Sequence, residues 1–117
     1  MILCVVDDLM FASKITTAAK AVEAQVAFER APANVLPRIR EERPALVIFD
    51  LNSTRLQPIQ TIAAIKGDAD VQTTRTLGYV SHVQGDVIAA ARAAGCDEVL
   101  ARSAFSEKLA DILTRAT

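Results

Sequence analysis

The chain has 117 residues, 51% hydrophobic and 23% charged, with 13 basic against 14 acidic side chains and a formal net charge of −1. That length suits one domain with a real core, and the composition excludes a disordered chain and a polyanion binder that relies on bulk charge. With one Tyr, four Phe and no Trp, platforms for stacking bases are lacking, so no direct nucleic-acid partner is expected and the core must be aliphatic.

The first apolar run, ILCVV at residues 2–6, stops at Asp7 and Asp8. No basic segment precedes it, so the start reads as neither a signal peptide nor a membrane span, and a cytoplasmic protein without a membrane partner is expected. Residues 9–24 carry apolar positions at Met10, Ala18, Ala21 and Val22, with Lys14 and Lys20 elsewhere, predicting an amphipathic helix. VAF at 26–28 is a short second strand. A helix over 33–42 follows, with Val35, Leu36 and Ile39 on one face and Pro44 as its stop. Pro37 lies about a turn inside, so that helix is expected to start late or bend.

ALVIF at 45–49 is the third strand and runs straight into Asp50. Pro58 suits the first turn of a third helix carrying Ile59, Ile62, Ala63 and Ile65 and ending at Gly67. GDADVQTTR, residues 67–75, reads as a solvated connection to a fourth strand, TLGYV at 76–80. GDVIAAARAAG gives a fourth helix ending at Gly95, and EVLA at 98–101 a fifth strand. The last helix is expected to begin near Ser106 and carries Leu109, Ala110, Ile112 and Leu113, without a capping box. Cys4 and Cys96 lack CxxC spacing and read as buried, inert thiols. Lys14, Lys20, Arg30, Arg38, Arg40 and Arg43 are spread over several elements and form no basic stripe.

Strand and helix alternate five times, which predicts an α/β fold with a mostly parallel sheet and helices on both faces. In such a sheet ligands sit at the carboxyl ends of the strands. That edge collects Asp7 and Asp8 after the first strand, Asp50 after the third, Ser81 after the fourth and Arg102 after the fifth. Singly, the acids read as helix caps and Ser81 as a turn residue. Together, three carboxylates repel one another unless a cation or basic side chain sits among them, and a hard oxygen site suits Mg²⁺. With the metal and Arg102 lowering the negative charge, Asp50 is a candidate nucleophile toward phosphorus and Ser81 a hydrogen-bond donor to a transferred phosphoryl oxygen.

The order VVDD, VIFDL, GYVS and GCDEVLAR resembles the receiver domains of bacterial two-component response regulators, over essentially the whole chain. The resemblance implies one receiver-like domain over residues 1–117, with a flavodoxin-like (βα)₅ fold, a doubly wound five-stranded parallel sheet and strand order 2-1-3-4-5. It implies that Asp50 is the phosphoacceptor, that Asp7, Asp8, Asp50 and the backbone carbonyl of Asn52 hold Mg²⁺, and that Ser81 follows the phosphoryl group. The implied partners are a histidine kinase or phosphotransfer protein, and a downstream protein or a second copy in a weak homodimer. That downstream face would be formed by helix four, strand five and helix five, including Ala90, Ala94, Val99 and residues around 101–108. Such a domain is a phosphoacceptor rather than an enzyme, with at most self-phosphorylation from small donors and autodephosphorylation.

Several positions depart from the pattern. Arg102 and Ser103 stand where the family has Lys-Pro, and arginine offers a planar fork in place of a point charge. Without that proline a cis peptide costs roughly 2.5–4 kcal/mol, so the passage into the last helix should be shaped differently. Thr54 replaces the usual turn proline, His82 a small residue, and Val99 the strand-five aromatic. These changes point to an atypical receiver and raise a second reading: a binding module acting without phosphorylation, its Arg102 paired with Asp50 or Asp8. FDLNST also resembles the DxDxT motif of haloacid dehalogenase-like phosphatases, but Asn52 stands where the general acid is needed, and an amide cannot supply that proton.

Overall fold

The computed structural model describes residues 1–81 and 84–116. Five strands, β1 (Ile2–Val5), β2 (Val26–Phe28), β3 (Leu46–Asp50), β4 (Arg75–Val80) and β5 (Glu98–Ala101), alternate with five helices, α1 (Leu9–Val22), α2 (Pro32–Glu42), α3 (Pro58–Lys66), α4 (Gly85–Ala93) and α5 (Arg102–Arg115). A 3₁₀ turn, Thr54–Leu56, lies between β3 and α3. The strands form one parallel sheet in the order β2-β1-β3-β4-β5, as the resemblance implies. The order reverses at β1, which leaves the ends of β1 and β3 flanking the crevice where such sheets bind ligands. No helix among the described residues is long and apolar enough to cross a membrane.

The two-residue period of the strands sorts their side chains between two cores. Leu3, Val5, Val47 and Phe49 pack with Val35 and Ile39 of α2, Ile62 and Ile65 of α3 and Ala91 of α4. Ile2, Cys4, Leu46 and Ile48 pack with Phe11, Ile15 and Ala19 of α1 and with Phe105, Leu109 and Leu113 of α5. Central strands covered on both faces must be apolar throughout, and β1 and β3 are buried from end to end. Cys4 and Cys96 are buried free thiols, and burial pushes the Cys4 thiol up to about 12, where it is no nucleophile.

Four expectations need correcting. The buried face of α1 is Phe11, Ile15 and Ala19, one stripe at a spacing of four, whereas Met10 is 82% exposed and Ala21 is also exposed. α5 begins at Arg102, four residues before Ser106; its N-cap, Ala101, is extended and offers no capping side chain, so no start signal exists in the sequence. Phe105 pins that first turn instead, fully buried and stacked 4.7 Å from Tyr79. α2 starts at Pro32 and runs continuously past Pro37. Nor is the segment 67–75 merely solvated: Asp68 pairs with Arg40 and Asp70 with Arg43, Val71 is buried, and Lys66 Nζ donates to the Thr74 carbonyl and to Asp97. Arg40 and Arg43 are therefore ties to that loop.

Glycine is required at two places. Gly95 has φ +101°, the left-handed conformation that closes α4. Gly78 in β4 lies beneath Leu51, and a Cβ there would stand 2.6 Å from Leu51 Cδ1 and 2.8 Å from its Cγ. Gly78→Ala is expected to destabilise the fold by about 1–3 kcal/mol through overpacking, read as a fall in denaturant midpoint. Combining it with Leu51→Ala should cost less than the sum of the two single changes, because the second removes the clash of the first.

Candidate functional site

Both acids that follow β1 are engaged. The Asp8 carboxylate caps α1, its Oδ1 accepting from the backbone N–H of Met10 at 2.8 Å and of Phe11 at 3.3 Å. Asp7 is clamped by Arg55 of the 3₁₀ turn: Nε donates to Oδ2 at 2.9 Å and Nη2 to Oδ1 at 2.8 Å, a bidentate fork. Arg55 Nη2 also donates to the Arg30 carbonyl at 3.1 Å, so one side chain joins the loops after β1, β2 and β3. Those Arg55 hydrogen bonds hold the Asp7 carboxyl below the usual carboxylate range, with the charges of Arg55 and Arg30 adding to them and desolvation opposing.

Asp50 is the last residue of β3 and only 4% exposed. Its Oδ1 accepts from the Asn52 backbone N–H at 2.9 Å and from Asn52 Nδ2 at 3.2 Å; among the described residues its Oδ2 accepts no hydrogen bond. Asn52 Oδ1 in turn accepts from the Ser81 N–H at 3.0 Å. The Asn52 side chain thus joins the ends of β3 and β4, a role different from the backbone carbonyl contribution expected of it. Burial pushes the Asp50 carboxyl up, against the two Asn52 hydrogen bonds and the charge of Arg102, with the charge of Asp8 reinforcing burial.

Arg102 is the first residue of α5, with Cζ 5.3 Å from the centre of the Phe11 ring, a cation–π contact. It makes no ion pair with Asp50 or Asp8 among the described residues, which removes the permanent pairing that the module reading had placed there. Instead Arg102 lines a cavity of about 450 Å³ with Phe11, Lys14, Ser81, Ser103 and Ser106, where Lys14 Nζ donates to Ser106 Oγ at 2.7 Å. Arg102 Nε and the Tyr79 hydroxyl are buried without hydrogen-bond partners among the described residues. His82 lies outside the described residues.

The chain shares its architecture with solved structures. A response regulator from Hahella chejuensis superposes with a TM-score of 0.85 at 19% identity, covering 97% of this chain and 91% of that one. The fold is that of a response-regulator receiver domain. A chemotaxis response regulator of Vibrio cholerae gives 0.81 at 16% identity over 99% and 97% of the two chains. The receiver domain of a Pseudomonas aeruginosa sensor histidine kinase, with a magnesium ion coordinated in its active-site cleft, gives 0.82 at 18% over 98% and 94%. No family model and no curated protein matches the sequence.

Within this receiver fold the expected residues divide into two groups. Asp50, Asn52 and Ser81 form one hydrogen-bonded chain, and Arg102 shares a cavity with Ser81. Asp7 and Asp8 are committed elsewhere, to Arg55 and to the start of α1. Among the described residues no group of three or more acidic, histidine or cysteine side chains is gathered to hold a metal ion. The oxygen donors are of the right kind for Mg²⁺, but as folded both Asp7 oxygens face a guanidinium, and the set does not fit a divalent cation. Arg55 escaped the sequence reading; its only signal is a lone cation in the glycine-free turn NSTR, five residues after Asp50.

Because burial raises the Asp50 pKa, the folded chain binds that proton more tightly than the unfolded chain does. The cost of the charge is therefore absent below the ordinary carboxylate value of about 3.9 and grows as pH rises from there through the raised folded-state value. Asp50→Asn is expected to raise the melting temperature at pH 7 by roughly 2–5 °C. That gain should shrink toward zero as the pH falls below about 4, which thermal melts across a pH series will show.

Proposed function

We propose that the chain is an atypical receiver domain in two-component phosphorelay signalling, taking a phosphoryl group on Asp50 from a histidine kinase or a phosphotransfer protein. The observation that carries this reading is the state of Asp50. Its carboxylate stands at the end of the central strand, nearly removed from water, with Oδ1 fixed by Asn52 and Oδ2 free of hydrogen bonds among the described residues. An oriented, poorly solvated oxygen is what a carboxylate nucleophile needs. The Asp50 oxygen forms its bond to phosphorus as the donor's P–N bond breaks and that electron pair returns to the donor's imidazole. The Ser81 hydroxyl and the Arg102 guanidinium are the chain's own groups for the phosphoryl oxygens.

No turnover chemistry is needed beyond self-phosphorylation from small donors and loss of the phosphoryl group. A cytoplasmic location accompanies this reading. On this reading the output surface is α4, β5 and α5, where Ala90 is exposed and Ala94 and Val99 are half-buried; a downstream protein or a second copy would dock there. A phosphorylation-independent binding module is the second reading, favoured by the Arg55 clamp that already neutralises Asp7. The phosphatase alternative is weakened further, since the Asn52 amide is spent on Asp50 and Ser81.

Incubation with a small phosphodonor or beryllium fluoride in the presence of Mg²⁺, followed by mass spectrometry and NMR, is expected to give an adduct on Asp50 that Asp50→Asn abolishes. Ser81→Ala and Arg102→Ala should each slow its formation by about a hundredfold or more, the scale of one lost oxyanion donor. Absence of any adduct in the unaltered chain would transfer the weight to the module reading.

A further inference from the structure

Three carboxylates at one sheet edge require a neighbouring positive charge, and the nearest one to Asp7 belongs to the chain itself. Arg55 meets both Asp7 oxygens through separate nitrogens, so the two lone pairs that face the fork are taken and the charge of that carboxylate is already opposed. Asp8 spends Oδ1 on two backbone N–H groups. Mg²⁺ demands a near-octahedral oxygen set and gives up its water reluctantly, and a guanidinium on Asp7 would both repel it and hold its ligand. The two cations compete for that carboxylate.

We propose that Arg55 is a tethered cation that takes, against Asp7, the place of a divalent metal ion, so that the acidic edge opens to metal only when Arg55 withdraws. The proposal rests on the receiver reading of this edge and adds to it a control over the metal. Arg55 is suited to withdrawal: its side chain is 56% exposed, that of Asp7 34%, and among the described residues its only further bond is to the Arg30 carbonyl. Metal entry would therefore also release the tie between the loop after β3 and the loop after β2. Arg102 stands against Phe11 on the other side of the edge, so the charge it brings does not replace that of Arg55 on Asp7.

The test is Mn²⁺ binding to the full chain without any phosphodonor, followed by calorimetry and by paramagnetic broadening of backbone amide signals. Unaltered protein, Arg55→Ala, Arg55→Gln and Arg43→Ala are compared; Arg43 pairs with Asp70, a carboxylate on the loop before β4, and its loss removes the same formal charge at a different place. Both Arg55 variants are expected to bind Mn²⁺ at least about fivefold more tightly than the unaltered chain, the scale of one exposed ion pair. Broadening should centre on Asp7, Asp8 and Asn52, and Arg43→Ala should match the unaltered chain. Equal affinity in all four proteins, an equal gain in Arg43→Ala, or no binding in any of them would overturn the proposal. Adduct formation on Asp50, measured separately, distinguishes this failure from failure of the receiver reading: an adduct with equal Mn²⁺ affinities leaves the receiver standing and removes only the role of Arg55.

Discussion

A parallel sheet covered by helices on both faces leaves polar side chains one place to gather, the edge where the strands end. The placement of Asp7, Asp8, Asp50, Ser81 and Arg102 follows from that restriction. β1 and β3 are buried from end to end, and any charge within them would be desolvated without a partner. Asp50 stands at the limit of what the restriction permits. It is still in the strand, still nearly inaccessible, and the two hydrogen bonds that Asn52 returns to one oxygen offset only part of its burial. A buried acid held in this way is costly, and the cost is concentrated at the one atom set that chemistry would use.

Two side chains organise the edge, and they do different work. Asn52 is short and uncharged, can donate and accept at once, and so links Asp50 to the start of the segment after β4. Arg55 is long, charged and donor-only, and reaches across from the 3₁₀ turn to Asp7 and to the Arg30 carbonyl. The first fixes Asp50; the second opposes the charge of Asp7. Both lie on the loop after β3, which has no glycine and carries Thr54 where a proline was expected, yet closes into a regular 3₁₀ turn ending at Gln57 with φ 49°.

The fold was legible in the sequence because its signals were redundant. Continuous apolar runs for covered strands, Pro58 and Pro44 at helix boundaries, and Gly95 at a left-handed cap all pointed one way. Misreadings occurred where a single signal was missing. α5 has no capping side chain, so its first turn was invisible until Phe105 was seen buried against Tyr79. On α1, Met10 and Phe11 are both apolar and only packing separates them, whereas Ala18 and Val22 do pack against the core. Of the site, the residue identities were readable but their partners were not: Arg55 and Asp7 are 48 positions apart, and nothing local links them.

The contrast between core and edge explains how this architecture is kept at low sequence identity. The core is a volume constraint on many residues at once, and a change such as one added methyl at Gly78 meets Leu51 immediately. The edge is held by ties that are individually weak, since water screens an exposed ion pair such as Arg55 with Asp7. Such ties can be exchanged, reversed in sign or redirected without endangering the fold, and superposition at 0.85 with 19% identity is what that asymmetry allows. It also means that the edge can change its chemistry while the sheet beneath it does not. Here two arginines stand at it, one clamping Asp7 and one resting on Phe11, and neither makes an ion pair with Asp50, the most buried of the three acids.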